Sequence, residues 1–184
     1  AELGRSKRDA MFPHIRTVHD LARLDLTKPP TFKGIGKGTL EKFQIRACLL
    51  TDSSTLPYCT TTLSLPKADR ELFFDIEVDP MRDICYLHGF IERNNSDIST
   101  EKFIPFVAES PTPEEEEKAF AEAWQYIRSS QPCAIYFYSK YERTWWRKLQ
   151  QRYPSVTTET EIEAMFSSDM AVDLYYDMVK KYTE

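Results

Sequence analysis

The chain lacks any run of about 18 apolar residues, which excludes a membrane-spanning helix. It also lacks an initiator methionine and a leader with a charged start and an apolar middle. Both ends look cut: Ala1 has no Met before it, and the helical pattern Tyr175–Tyr182 runs almost to the last residue. The chain is therefore read as a piece of a longer protein. Cysteine is sparse, with Cys48, Cys59, Cys85 and Cys133 far apart and no CxxC, and the histidines are His14, His19 and His88. Zinc needs closely spaced ligand pairs and a disulfide framework needs denser cysteine, so neither is expected. Cys85 and Cys133 fall in apolar runs, where a free thiol packs as a small hydrophobe, and reduced thiols in a cytoplasmic protein are the expectation.

What is present is enough for a core: of 184 residues, 41% are hydrophobic and 13% aromatic, which excludes wholesale disorder. The length suits one full domain with a smaller unit attached. The net charge of −5 is unevenly spread, +5 over residues 1–50 and −10 over 51–184. A basic arm suits a phosphate backbone and an acidic body suits cations, although a merely solvated imbalance gives the same numbers.

Ile15, Val18, Leu21 and Ala22 have helical spacing, and Pro29-Pro30 stops that helix. A second helix is expected from Thr39 to about Leu50, with Leu40, Phe43, Ala47 and Leu50 on one face. Between them lies the glycine-rich turn around Gly34-Ile35-Gly36. Leu56–Leu65 reads as a loop or short strand. Glu71–Val78 and Ile84–Glu92 read as a strand hairpin across Asp79–Asp83, and Phe103–Val107 as a third strand. A helix opens at Thr112 with Pro113 in its first turn, and the glutamates 114–117 complement its positive end. Ala134–Tyr138 is a buried strand, Ser139 opens a helix that ends before Pro154, and two more helices are expected at Glu159–Phe166 and Met170–Tyr182. The order predicts an α/β fold with a mixed sheet. The expected organisation is a helical segment over 1–50, a linker over 51–70 and the main domain over 71–184.

Asp75 and Glu77 stand two apart on a strand of apolar residues, so they share one face. Paired carboxylates suit hard divalent cations, and two such ions can flank a scissile phosphodiester. An edge strand with a solvated outer face is the alternative.

Phe73-Phe74-Asp75-Ile76-Glu77, followed by a hairpin and a Gly89-bearing strand, resembles the first motif of the ribonuclease-H-like DEDD exonucleases. Ile135-Tyr136-Phe137-Tyr138-Ser139-Lys140-Tyr141-Glu142 resembles their second motif, a strand running into a helix that presents an acidic residue. The wider pattern is similar to the middle section of bacterial RecB-family nucleases. In these, a short helical linker leads into a ribonuclease-H-like domain, sometimes with a fused superfamily 1 helicase. The helical pair Ile15–Leu50, with Gly34-Ile35-Gly36 and Leu40-Glu41-Lys42-Phe43, and the segment Val172-Asp173-Leu174-Tyr175 belong to this resemblance, which covers nearly the whole chain.

The resemblance implies a ribonuclease-H-like mixed sheet with flanking helices, preceded by a helix-hairpin-helix-like segment. It implies 3′–5′ exonuclease-like hydrolysis of DNA with Mg²⁺ or Mn²⁺ held by Asp75, Glu77 and Glu142, and Asp173 is a weaker candidate. The family pattern has Asp, with Asn four residues before it, where this chain has Glu142 and Tyr138. Ser139–Glu142 also reads as a capping box, an alternative role for Glu142. A third motif, Tyr or His followed by Asp, is expected beyond Thr183-Glu184, so this stretch alone is expected to bind Mn²⁺ weakly and to be inactive. The rival expectation is a non-catalytic nucleic-acid-binding or scaffold domain.

Lys33, Gly34, Ile35, Gly36 and Lys37 resemble the turn of helix-hairpin-helix modules, where backbone N–H groups approach phosphates, and Lys42 and Arg46 add charge. The glycines alternatively serve only to cap a helix. Tyr136, Tyr138, Tyr141, Trp145 and Trp146 either stack on bases or fill the core.

Overall fold

A computed structural model describes residues 3–182 apart from 55, 57 and 60. Residues 55, 57 and 60 of the expected linker 51–70 and the last two residues of the chain therefore lie outside the described residues, and the described part of Leu56–Leu65 forms no named helix or strand. The chain divides into two compact units, one over 1–62 and the other over 63–181. No helix among the described residues is long and apolar enough to cross a membrane.

In the first unit, α1 (Arg5–Met11), α2 (Val18–Ala22) and α3 (Lys37–Thr51) enclose Met11, Ile15, Leu21, Phe32, Leu40, Phe43 and Ala47. α1 left no apolar period in the sequence because Met11 is its one buried side chain. α2 starts where Thr17 accepts the Asp20 N–H and Asp20 accepts the Thr17 N–H, a reciprocal cap that satisfies two orphan donors. Phe32 and Ile35 pair across a tight turn in which Gly34 takes φ +76°, a backbone region that suits glycine. α3 begins two residues earlier than expected because extended Gly36 caps it through the backbone alone. Leu50, expected on the buried face, is 79% exposed.

The second unit is a five-stranded sheet, β1 (Arg70–Asp79), β2 (Ile84–Asn94), β3 (Asp97–Val107), β4 (Ala134–Phe137) and β5 (Ala171–Asp173), in the order β3-β2-β1-β4-β5. The first three strands are antiparallel, while β4 pairs in parallel with both β1 and β5. The expected α/β class with a mixed sheet is therefore the observed one. β3 starts six residues earlier than its apolar signal, because Asn95 and Ser96 both take positive φ (53° and 55°) and close a hairpin with β2. Its first half is polar and exposed, so it carried no alternation to read.

Leu72, Phe74 and Ile76 point from β1 into the core. There they meet Phe120 and Trp124 of α4 (Pro113–Ser129), Trp146 and Leu149 of α5 (Tyr141–Arg152), and Ile162 and Phe166 of α6 (Glu159–Phe166). Trp146 is fully buried, with edge contacts to Phe74, Phe120, Trp124 and Phe166.

Two expectations need correction. The segment Met170–Tyr182 is not one helix: Ala171–Asp173 joins the sheet, and a π-helix follows over Leu174–Val179. Ala171-Val172 completes a parallel edge beside β4, a long-range pairing that outweighs the local helical pattern. Nor do all the glutamates at the start of α4 merely meet the helix dipole, since Glu116 is 1% exposed. Its Oε1 accepts the Cys85 N–H at 2.7 Å, and its Oε2 accepts Arg152 Nη1 and the Tyr153 hydroxyl, each at 2.6 Å. Arg152 and Lys148 also grip Asp83 in the β1–β2 turn.

Candidate active site

The alternation of β1 sends Asp75 and Glu77 to the face opposite the core, where both are exposed. Glu142 comes from the first turn of α5 and is 2% exposed. It turns inward to Asp75, whose carboxylate lies within hydrogen-bond reach. Burial raises the Glu142 carboxyl to about 7, and the charges of Asp75 and Asp173 add to the rise, while a bond from its own backbone N–H works against it. Two carboxyl groups can hydrogen-bond only if one of them keeps a proton. The Glu142 Oε2 is buried with no hydrogen-bond partner.

The Ser139–Glu142 capping box does not form. Lys140 is the N-cap of α5 and makes no side-chain cap, and the Ser139 N–H goes instead to Asp173 Oδ1 at 3.0 Å. Ser139 adopts φ +76°, an unfavourable region for a residue with a Cβ. Asp173, the weaker candidate, ends β5 and is 9% exposed.

An open groove of about 550 Å³ runs beside the pair, lined by Phe73, Asp75, Tyr136, Tyr138, Tyr141 and Glu142 among others. Tyr138 and Tyr141 expose their rings there, 54% and 48%. Tyr136 is buried, stacked on Phe73 with its hydroxyl donating to Glu71, and Trp146 belongs to the core.

The oxygen donors around Glu142 suit a hard cation, and the orphaned Oε2 is the acceptor such an ion would satisfy. As the side chains lie, however, no group of three or more His, Cys, Asp or Glu among the described residues could hold a metal ion. Asp75 and Glu142 are brought together, Asp173 is near enough to act on Glu142 electrostatically, and Glu77 lies further along β1.

The sequence reading missed His88, which is fully buried in β2. Its Nδ1 accepts Trp146 Nε1–H at 3.1 Å and its Nε2 faces Cys85 Sγ at 3.7 Å. Burial lowers the imidazole to about 3 and raises the Cys85 thiol to about 12, so both stay neutral and serve packing. The four cysteines are free, with Cys85 and Cys133 buried as expected.

In the first unit, the Gly34–Gly36 turn has open space where a Cβ would project from either glycine. Lys37 is exposed and pairs with Glu41 at 3.9 Å one turn along α3, whose first turn carries no acidic residue.

No curated protein and no solved structure matches the chain. A family model described as RNase H superfamily does match, over residues 72–184. That stretch contains the mixed sheet, its core helices and the Asp75–Glu142 pair, and the chain therefore belongs to the RNase H superfamily.

Proposed function

We propose that this is the nuclease domain of a RecB-family-like protein, which hydrolyses phosphodiester bonds of DNA from the 3′ end with Mg²⁺ or Mn²⁺. The observation that supports it is the buried Glu142 carboxyl, with one oxygen unpartnered, set against Asp75. Nothing in a merely solvated surface requires a buried carboxyl to be set against an exposed one, and perturbed carboxyl groups concentrate at functional sites. Asp75 and Glu142 would hold the cation, with Glu77 offering a further carboxylate from the same strand face. A divalent cation there supplies a polarised water and charge compensation at the scissile phosphate. The chain's own contribution is a strand that fixes Asp75, a buried Glu142 whose proton would pass to solvent as a cation took its place, and exposed Tyr138 and Tyr141 rings on which bases stack.

Mn²⁺ titrated into the ¹⁵N-labelled chain is expected to broaden the amide signals around Asp75 and Glu142 first, which reads even weak binding. Asp75→Asn removes charge but little volume, so it should weaken this broadening by about tenfold or more and lower DNA cleavage by any protein containing the chain at least as far. A wild-type spectrum with no selective broadening around that pair sinks the metal reading. It would favour the second reading, a non-catalytic nucleic-acid-binding domain, which draws support from the absence of a three-residue ligand group among the described residues.

The Gly34–Lys37 turn is proposed as a phosphate contact, because its unobstructed glycines and the acid-free start of α3 leave backbone N–H groups approachable. Lys33→Glu with Lys37→Glu should weaken duplex binding regardless of sequence and flatten its salt dependence. Unchanged affinity in the double variant returns the turn to a capping role.

A further inference from the structure

One oxygen of Asp173 does three jobs. Oδ1 accepts the backbone N–H groups of Ser139, Tyr175 and Tyr176, each at 3.0 Å. Two of these bonds are local and shape the start of the π-helix. The third crosses from β5 to the connection between β4 and α5, where Ser139 sits at φ +76°. Three residues beyond Ser139 is Glu142. The Asp173 N–H itself donates to Asp177 Oδ2 at 3.0 Å, which fastens the end of β5 from the other side. An oxygen already accepting three N–H groups has little left to offer a cation.

We infer that Asp173 is a positioning residue for Glu142: by taking the Ser139 amide on Oδ1 it holds the β4–α5 connection in its left-handed turn and so directs the first turn of α5, and Glu142 with it, toward Asp75. The inference rests on the metal-site reading of Asp75 and Glu142 given above. It follows that the charge of Asp173 is dispensable, whereas its acceptor oxygen is not. Asparagine keeps a carbonyl oxygen in the same place and alanine does not.

The test is Mn²⁺ broadening in the ¹⁵N-labelled chain for the wild type and for Asp173→Asn, Asp173→Ala, Asp75→Asn and Glu116→Gln. Asp173→Asn is expected within about threefold of wild type, below the tenfold that losing an outer-shell partner typically costs, and Asp173→Ala at least about tenfold weaker. Glu116→Gln should lower Tm and leave the affinity alone, which separates positioning from general destabilisation. Ser139→Gly adopts the left-handed turn without strain, so added to Asp173→Ala it should restore part of the binding, and it also serves if Asp173→Ala alone does not fold. Asp173→Asn as damaging as Asp75→Asn would make Asp173 a ligand and overturn the inference. So would a folded Asp173→Ala with wild-type affinity, or no recovery in the double variant. A wild type with no selective broadening overturns the metal reading itself, a failure visible before any variant is made.

Discussion

Glu142→Gln should raise the stability of the cation-free protein above pH 7 and leave it unchanged near pH 4.5. In the folded chain the Glu142 carboxyl is held at about 7, raised from 4.5 first by burial and then by Asp75 and Asp173. The folded state therefore keeps a proton that the unfolded state releases between those two values. Stability contributed by the protonated carboxyl is complete below 4.5, declines as pH rises through the window, and is gone above about 7. At roughly 1.4 kcal/mol per pH unit, the loss is up to about 3 kcal/mol. Glutamine stays neutral throughout and escapes it. Thermal unfolding at pH 5 and pH 8 in a chelator checks this: the wild type should lose several degrees between the two and the variant should not. Equal losses in both would mean that Glu142 ionises freely and is not buried against Asp75.

Glu116→Ala should destabilise the second unit by about 3 kcal/mol or somewhat more. The Glu116 carboxylate joins three elements at once: the start of β2 through the Cys85 amide, α4 on which it sits, and the end of α5 through Arg152 and Tyr153. Removing it leaves the Cys85 N–H and the Tyr153 hydroxyl without their acceptor and Arg152 without a buried partner. Arg152 is partly exposed and also bound to Asp83, which moderates the cost. Denaturant unfolding gives the number, and Glu117→Ala is the control, since that neighbour accepts the Ser155 hydroxyl at the surface. A loss no larger than the control's would show that Arg152 and Tyr153 find equivalent partners without Glu116.

The parts of the fold written in local chemistry were legible in the sequence. The alternation of Leu72, Phe74 and Ile76 fixed the faces of β1, and Thr112-Pro113 announced α4. The helix Glu159–Phe166 has the expected bounds because Thr158 and Glu161 cap each other within four residues. The first half of β3 was not legible, because its apolar content is Ile98 alone and its pairing depends on the Asn95-Ser96 turn. β5 was misread for a related reason: three residues become a strand only once β4 lies beside them. At the site, Asp75 and Glu142 could be nominated from their motifs. What could not be read was that Ser139 lends its amide to Asp173, 34 residues away, so that the local capping box loses to a long-range bond. Nor could the sequence distinguish Glu116 from the three glutamates around it, since only packed neighbours bury one of four identical side chains.

The strand order also bears on how the protein behaves when crowded among copies of itself. A sheet with two open edges can serve as a template for further strands, and β3 carries exposed Ile98, Phe103 and Val107 along one of them. Pro105 sits near the end of that strand opposite Gly89, and a proline in an edge strand has no N–H to offer an incoming chain. The other edge, β5, is three residues long and ends at Asp173, too short to seed a ladder. One edge is blunted by a missing donor and the other by brevity, so the sheet resists growth from chain to chain at both ends.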